Sequence, residues 1–267
     1  MKQIGIIHYN TPELTEACIL SIRKVGCQWP ITIFDNSDKR PFTKRIKGVK
    51  VLNNRKQQLV NFDQELDKYP DKCYELAYKG NFASVKHMMS VQYLFGVLKD
   101  GFILMDSDIL ISKPFDYLWN ETFAAAGHVE WNEKRGIGPD RLKPFLCYLN
   151  VPKLQKYGAK FYDPQRCWGL QPGGAKAKVN RYDTGGSLLY DIRKHKPLLR
   201  CRNWQYLEDG YVHFGAASYH RNDIKEQAEW LKKNGALWQT EKLTPEIAPP
   251  SFDEAQGTPA PSKPRKA

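Results

Sequence analysis

The sequence predicts an α/β protein with a mixed central sheet, whose first half is Rossmann-like, and three observations predict it. Short apolar runs of buried-strand type recur at residues 3–9, 31–34, 49–52 and 102–105, each too short for a helix. A helical pattern between the first two completes a strand–helix–strand unit, the crossover that parallel neighbours require. The last run continues as FILMDSDILI, which sets Asp106 and Asp108 inside an otherwise apolar stretch.

Taken in order, the first run is followed by Thr11-Pro12-Glu13. A cap-type residue, a proline at the first helical position and an acid in the first turn mark a helix start. Leu14, Ala17, Cys18, Ser21, Ile22 and Val25 recur at helical spacing, and Gly26 stands where a helix stop belongs. The second strand is broken by Asp35-Asn36-Ser37-Asp38, a turn-forming cluster. Residues 55–80 are polar and show no clear element. Residues 81–98 read as a helix with Val85, Met88, Met89, Gln92, Tyr93 and Phe95 on its apolar face, and the strand at 102–105 follows. Four strands with helices between them make a nucleotide-binding type of half. Beyond Pro114, strands are expected at 123–129, 144–150, 186–190 and 211–217, and residues 165–180 form a loop rich in Gly and Lys. From Thr244 the chain is rich in Pro and poor in large apolar residues, so 244–267 is expected to be a disordered tail behind a domain of 1–243, with halves 1–112 and 113–243.

Composition narrows the function classes. A hydrophobic content of 41 % with 14 Tyr, 12 Phe and 7 Trp supplies a sizeable core and excludes global disorder. The net charge of +12 implies attraction to anions. Because Lys and Arg are spread along the chain, with no basic helix and no zinc-finger or RNP signature, no nucleic-acid partner is expected. Six cysteines without a CxxC pair read as free thiols rather than a zinc site or disulfides. No apolar stretch reaches eighteen residues, and Met1 leads into the first strand without a secretory pattern, so the expected location is cytoplasmic.

A carboxylate inside an apolar run costs several kcal/mol unless it is paired, hydrogen-bonded or bound to metal. In an extended chain Asp106 and Asp108 project to one side and Ser107 to the other, forming a two-carboxylate claw. At the end of a parallel strand such a claw lies where open α/β sheets bind ligands. Strand-end capping or bridges to Lys and Arg are the plainer uses. Farther on, Asp183 precedes two glycines in YDTGG, which let backbone approach a ligand closely; it is a candidate general base, with Glu208 and Asp209 as a rival pair.

The succession IIHYNTPELTEACILSI, ITIFDNSD and FILMDSDILI resembles the first half of a GT-A glycosyltransferase of the family 2 type, over residues 3–112. RYDTGGSLLYDI and YVHFGAASYH are more loosely similar to the acceptor-side strand and the C-terminal histidine segment of such enzymes. A QxxRW-type motif is lacking, which argues against a processive polymerase. The resemblance implies an acceptor-binding second half and a strand-terminal Asp-x-Asp that holds Mn²⁺ or Mg²⁺ against a nucleoside-diphosphate sugar, UDP-linked by the same resemblance. Loss of the diphosphate leaving group builds negative charge that such a cation neutralises. Asp108 is then the direct metal ligand, and Asp106, with Ser107 beside it, meets the donor or reaches the metal through water. Asp35 would read the nucleobase edge. His8, Asn10 and Thr11 line the loop beside the nucleotide, Thr11 being equally a helix cap. Ser84 and His87, three apart on one helix face, are donor contacts by the same resemblance, although a partly exposed histidine is the simpler reading. His213, rather than His220, completes the metal shell. The loop with Gly173, Gly174, Lys176, Lys178 and Arg181 either closes over the diphosphate or is a solvated basic loop. The acceptor is a glycan or lipid-linked saccharide, and the basic surface is compatible with peripheral association at an anionic membrane. A nucleotidyltransferase and a non-enzymatic nucleic-acid binder are the other classes left open.

Overall fold

The structure, a computed structural model, describes residues 1–66, 71–135, 139–167, 182–203 and 210–213. Its core is a seven-stranded sheet. Strand β1 (Ile4–His8) lies parallel to β2 (Ile31–Asp35) on one side and to β4 (Phe102–Asp106), the middle strand, on the other. Beyond β2, strand β3 (Val49–Asn53) forms one edge. Beyond β4 the sheet turns antiparallel through β7 (Arg141–Leu149) and β6 (Ala125–Glu130), and β8 (Cys201–Asn203) closes the other edge parallel to β6. The mixed α/β architecture is the one expected from the sequence.

Period-two alternation divides the core between the faces of this sheet. Ile4, Ile6, Ile31, Ile33, Ile103 and Met105 pack on one face with Cys18, Ile19 and Ile22 of α1 (Pro12–Lys24). Ile7, Phe34, Phe102 and Leu104 pack on the other, with Val85, Met88, Val91 and Leu94 of α3 (Asp71–Val97). Each such side chain, fully buried, contributes about 1.5–3 kcal/mol relative to exposure. The central strands are covered on both faces, which is why they read as unbroken apolar runs. Between β3 and α3 runs the short α2 (Phe62–Leu66).

Several expectations are corrected. Helix α3 begins at Asp71 rather than at 81, its first turns carrying a mixture of charged and aromatic residues with no legible period. FILMDSDILI is two strands: β4 ends at Asp106, Ser107 and Asp108 form a turn, and β5 (Ile109–Ile111) pairs antiparallel with β9 (Tyr211–His213) in a separate small sheet. The expected strand at 186–190 is helix α6 (Gly186–Lys194). GSLLY is too short an apolar run for period to assign. Leu188, Leu189 and Ile192 form the buried face, and Tyr190 is exposed. Gly185 makes the entry, with φ of 82° and an added Cβ 1.9 Å from the Leu142 carbonyl oxygen, so no other residue fits there. Two short helices also went unread: α4 (Val151–Lys156), capped by the Asn150 side chain accepting from the Lys153 amide at 3.2 Å, and α5 (Pro164–Cys167) within the expected loop. The strand expected at 211–217 is observed as far as His213, and the tail 244–267 lies outside the described residues.

Candidate active site at the carboxyl edge of the sheet

Because β1, β2 and β4 are parallel, their carboxyl ends emerge together. The register sets His8 beside Asp35 and Ile7 beside Asp106. Asp35 and Asp106, the last residues of the two strands that flank β1, therefore share one edge with His8.

The β2 end is a clasp made by side chains on backbone. Asp35 is buried, and its two carboxylate oxygens accept from the Ser37 and Phe42 amides, each at 2.9 Å. Asn10, at a φ of 56°, accepts from the Lys39 and Arg40 amides at 3.0 and 2.9 Å, while its own amide donates to the Ser37 hydroxyl at 2.8 Å. His8 is fully buried, with Nδ1 2.6 Å from the Thr15 hydroxyl and Nε2 3.3 Å from the Arg40 carbonyl and 3.8 Å from Asp35. Burial holds this imidazole below its ordinary pKa, outweighing the pull of Asp35, so the ring is neutral. Asp35 and Asn10 thus face protein partners within the loop after β2, and His8 bridges that loop and α1.

The β4 end is different. Asp106 and Asp108 converge through the turn, not through alternation along one strand. The β5–β9 ladder sets His213 opposite Ile109, next in sequence to Asp108. His213 Nε2 is 3.3 Å from Asp108 Oδ1 and 3.7 Å from Asp106 Oδ2, and its ring stacks on Phe145 with centroids 4.6 Å apart. The other Asp106 oxygen meets His87 Nε2 at 2.9 Å, reached from α3. His87 Nδ1 is buried and has no partner among the described residues. Ser84 lies half-buried three residues before His87. Ser107 faces α1, where its hydroxyl lies 3.3 Å from that of Thr11. Thr11 occupies the cap position of α1 without a side-chain cap bond, so its hydroxyl serves the turn and not the helix.

Electrostatics follow from this geometry. Burial pushes Asp106 toward protonation, but hydrogen bonds and charge from His213 and His87 outweigh it and hold the carboxyl well below its usual range. Burial likewise opposes charging of His213, but Asp106 and Asp108 overcome it and push its pKa up to about 9. Beneath them, burial and the same two carboxylates push the Cys18 thiol far above its ordinary value, so it is an inert core group. One oxygen each from Asp106 and Asp108 and one His213 nitrogen lie within 4.8 Å of one another. Two carboxylates and an imidazole are a donor set that suits a divalent cation, Mn²⁺ better than Mg²⁺ because of the imidazole.

The other candidates are dispersed. Asp183, at the entry to α6, forms an ion pair with Arg141 and accepts from the Thr184 amide at 2.7 Å. Glu208, Asp209, His220 and the basic loop from Gly173 to Arg181 lie outside the described residues. Sequence reasoning missed Phe145 and Arg141, both on β7, since nothing local marks them as neighbours of His213 and Asp183.

No protein-family model matches the chain, and no curated protein matches it. Among solved structures it is similar to the galactosyltransferase LgtC in complex with donor and acceptor sugar analogues, at 10 % identity over 71 % of this chain and 70 % of that one, with a TM-score of 0.43. It is also similar to the mannosyltransferase PcManGT from Pyrobaculum calidifontis in complex with GDP-Man and Mn²⁺, at 10 % identity over 91 % and 66 %, with a TM-score of 0.39. The apo form of the glycosyltransferase GlyE from Streptococcus pneumoniae aligns at 13 % identity over 84 % of this chain but 51 % of its own length, with a TM-score of 0.43. At these values the likeness is one of general architecture and carries no information on donor, acceptor or metal.

Proposed function

We propose that the chain is a GT-A glycosyltransferase that moves a sugar from a nucleoside-diphosphate sugar, UDP-linked by the resemblance, to a glycan or lipid-linked saccharide. The observation that carries this reading is the convergence of Asp106, Asp108 and His213 at the carboxyl edge of the parallel strands, where α/β sheets bind nucleotides. These three residues would hold Mn²⁺ or Mg²⁺, which when bound neutralises the charge that develops on the departing diphosphate. Asp108 is the principal ligand in this scheme. His87 fixes one oxygen of Asp106 and thereby aims the other at the site. His213 must give up its proton to ligate, so the two carboxylates that hold an imidazolium in the free protein hold a metal cation in the loaded one. The clasp around Asp35 and Asn10 shapes the wall on which the base would rest. Of the three carboxylates expected on the acceptor side, Asp183 lies among the described residues and is paired with Arg141.

Exposed cations at Lys39, Arg40, Lys44, Arg45 and Lys47, in the connection from β2 to β3, and at Lys50 on β3 support peripheral association with an anionic surface that carries the acceptor. No helix among the described residues is long and apolar enough to cross a membrane.

The test is a thermal-shift screen of nucleoside-diphosphate sugars with and without Mn²⁺, followed by product analysis. A donor at about a hundred times its Kd adds about 2.7 kcal/mol of apparent stability. Metal-dependent stabilisation by one class of sugar nucleotide, with release of nucleoside diphosphate, supports the reading. Pyrophosphate as the product would replace it with nucleotidyl transfer, and the absence of any metal-dependent shift would overturn it.

A further inference from the structure

A second cleft lies away from the claw, between the β6–β7 hairpin and the outer face of α6. Its lining is Glu133, Asp140, Tyr182, Tyr190, Arg193 and Lys194, around a cavity of about 390 Å³. Small-molecule sites span about 300–1,000 Å³, so the size fits one or two sugar rings. The sequence explains why these groups meet. With Leu188, Leu189 and Ile192 committed to the core, the i, i+3 and i+4 positions Tyr190, Arg193 and Lys194 share the opposite side of α6.

The cleft is held rigid from both walls. Arg193 donates to Asp140 at 2.7 Å and approaches Glu133 at 3.8 Å, and its guanidinium lies 5.3 Å from the centre of the Trp131 ring. Arg166 lies 4.9 Å from the centre of the Tyr190 ring, and Tyr182 meets Tyr190 edge-on at 5.8 Å. Tyr190 still remains 43 % exposed and Trp131 39 % exposed. Within the same hairpin, Asn132 Oδ1 is buried with no partner among the described residues. Open aromatic rings beside carboxylates and a guanidinium combine an apolar face with both donors and acceptors for hydroxyl groups. Glu133 and Asp140 oppose a phosphorylated ligand.

We infer that this cleft is a binding subsite for a neutral saccharide, and that it seats the part of an oligosaccharide acceptor distal to the reacting end. The assignment rests on the glycosyltransferase reading. Strand β7 supplies the link: Phe145 stacks on His213, and Asp140 lies immediately before the first residue of the same strand. An oligosaccharide laid along this strand would place one end at each site.

The experiment uses the full chain and defined neutral tetrasaccharides of glucose, galactose, mannose and N-acetylglucosamine, titrated by ligand-observed NMR. Tyr190→Ala should weaken the tetrasaccharide that binds best by about tenfold, the loss expected for one aromatic stacking contact with its buried area. Tyr190→Phe should retain it, which separates a lost ring from a disturbed helix. Asp108→Asn should leave tetrasaccharide binding intact while removing Mn²⁺-dependent cleavage of the sugar nucleotide. Equal affinity in Tyr190→Ala, or no binding by any of the four tetrasaccharides to the unmodified protein, overturns the subsite. Saccharide binding that depends on Tyr190, in a protein that cleaves no sugar nucleotide, would instead count against the glycosyltransferase reading.

Discussion

Strands β2 and β4 both end in aspartate at the same edge of the sheet, and each aspartate has a histidine nearby, yet the two ends do opposite work. At Asp35 both carboxylate oxygens accept from backbone amides of the residues that follow, and neighbouring His8 is kept neutral by burial. At Asp106 and Asp108 the partners are imidazoles from two distant segments, and His213 is pushed up to about 9. A carboxylate answered by its own loop is satisfied without a ligand. Carboxylates that converge on a shared imidazole form a donor set in which, on the proposed reading, a proton and a metal ion are alternatives. The difference lies in the partner, not in the aspartate.

The sharpest way to break that contrast is to remove one carboxylate from each end. Asp108→Ala should lower metal-dependent turnover by about 10²–10³-fold, the equivalent of several kcal/mol of lost charge stabilisation. Full turnover in that variant would sink the metal assignment. Asp35→Ala should do the reverse. It leaves two buried amides without an acceptor, at about 1–3 kcal/mol each, so the melting temperature should fall while Mn²⁺ affinity stays within a few-fold. An unchanged melting temperature with weakened nucleotide binding would return Asp35 to the base-reading role that the resemblance implies.

How much of this contrast the sequence carries can be judged residue by residue. The parallel strands were legible because burial on both faces leaves an apolar run, and Asp106 and Asp108 were legible as charges interrupting one. The turn that joins them was not, since DSD between two apolar stretches suits a continuous strand equally well. Nor is there a local signal that Asp35 is matched by the amides of Ser37 and Phe42, because Asx-type bonding and ligand binding call for the same residue. The Asp183–Arg141 pair spans 42 residues and belongs to tertiary structure alone. Helix α6 was hidden by five residues whose apolar content suits either period.

His87 sharpens the comparison further, since it is a partner of Asp106 among the described residues that lies outside the proposed ligand set. Its Nε2 orients the carboxylate as an outer-shell group does, and such groups change metal affinity by about 10–100-fold when removed. His87→Ala should therefore weaken Mn²⁺ by that factor in a titration with nucleoside diphosphate present. His87→Gln, which keeps a donor, should recover part of the loss. Equal affinity in all three proteins would make the contact a packing accident.

The smallest effect belongs to His8, and its sign follows from linkage. The folded ring titrates below the unfolded value of about 6.5, because burial outweighs the attraction of Asp35 and Glu13. Its contribution to stability is then complete above that pH and is lost as the pH falls toward the folded value, since the unfolded chain takes up the proton first. One proton limits the slope to about 1.4 kcal/mol per pH unit. The measurement is the unfolding free energy from pH 6.5 down to 5, compared with His8→Gln. His213 does not confound it: with its folded value at about 9, its stabilising effect is fully present below pH 6.5 and fades only as the pH rises through 9. A slope that is the same with and without His8 would mean that the ring takes up its proton in place, and that the clasp at Asp35 accommodates a cation as the claw does.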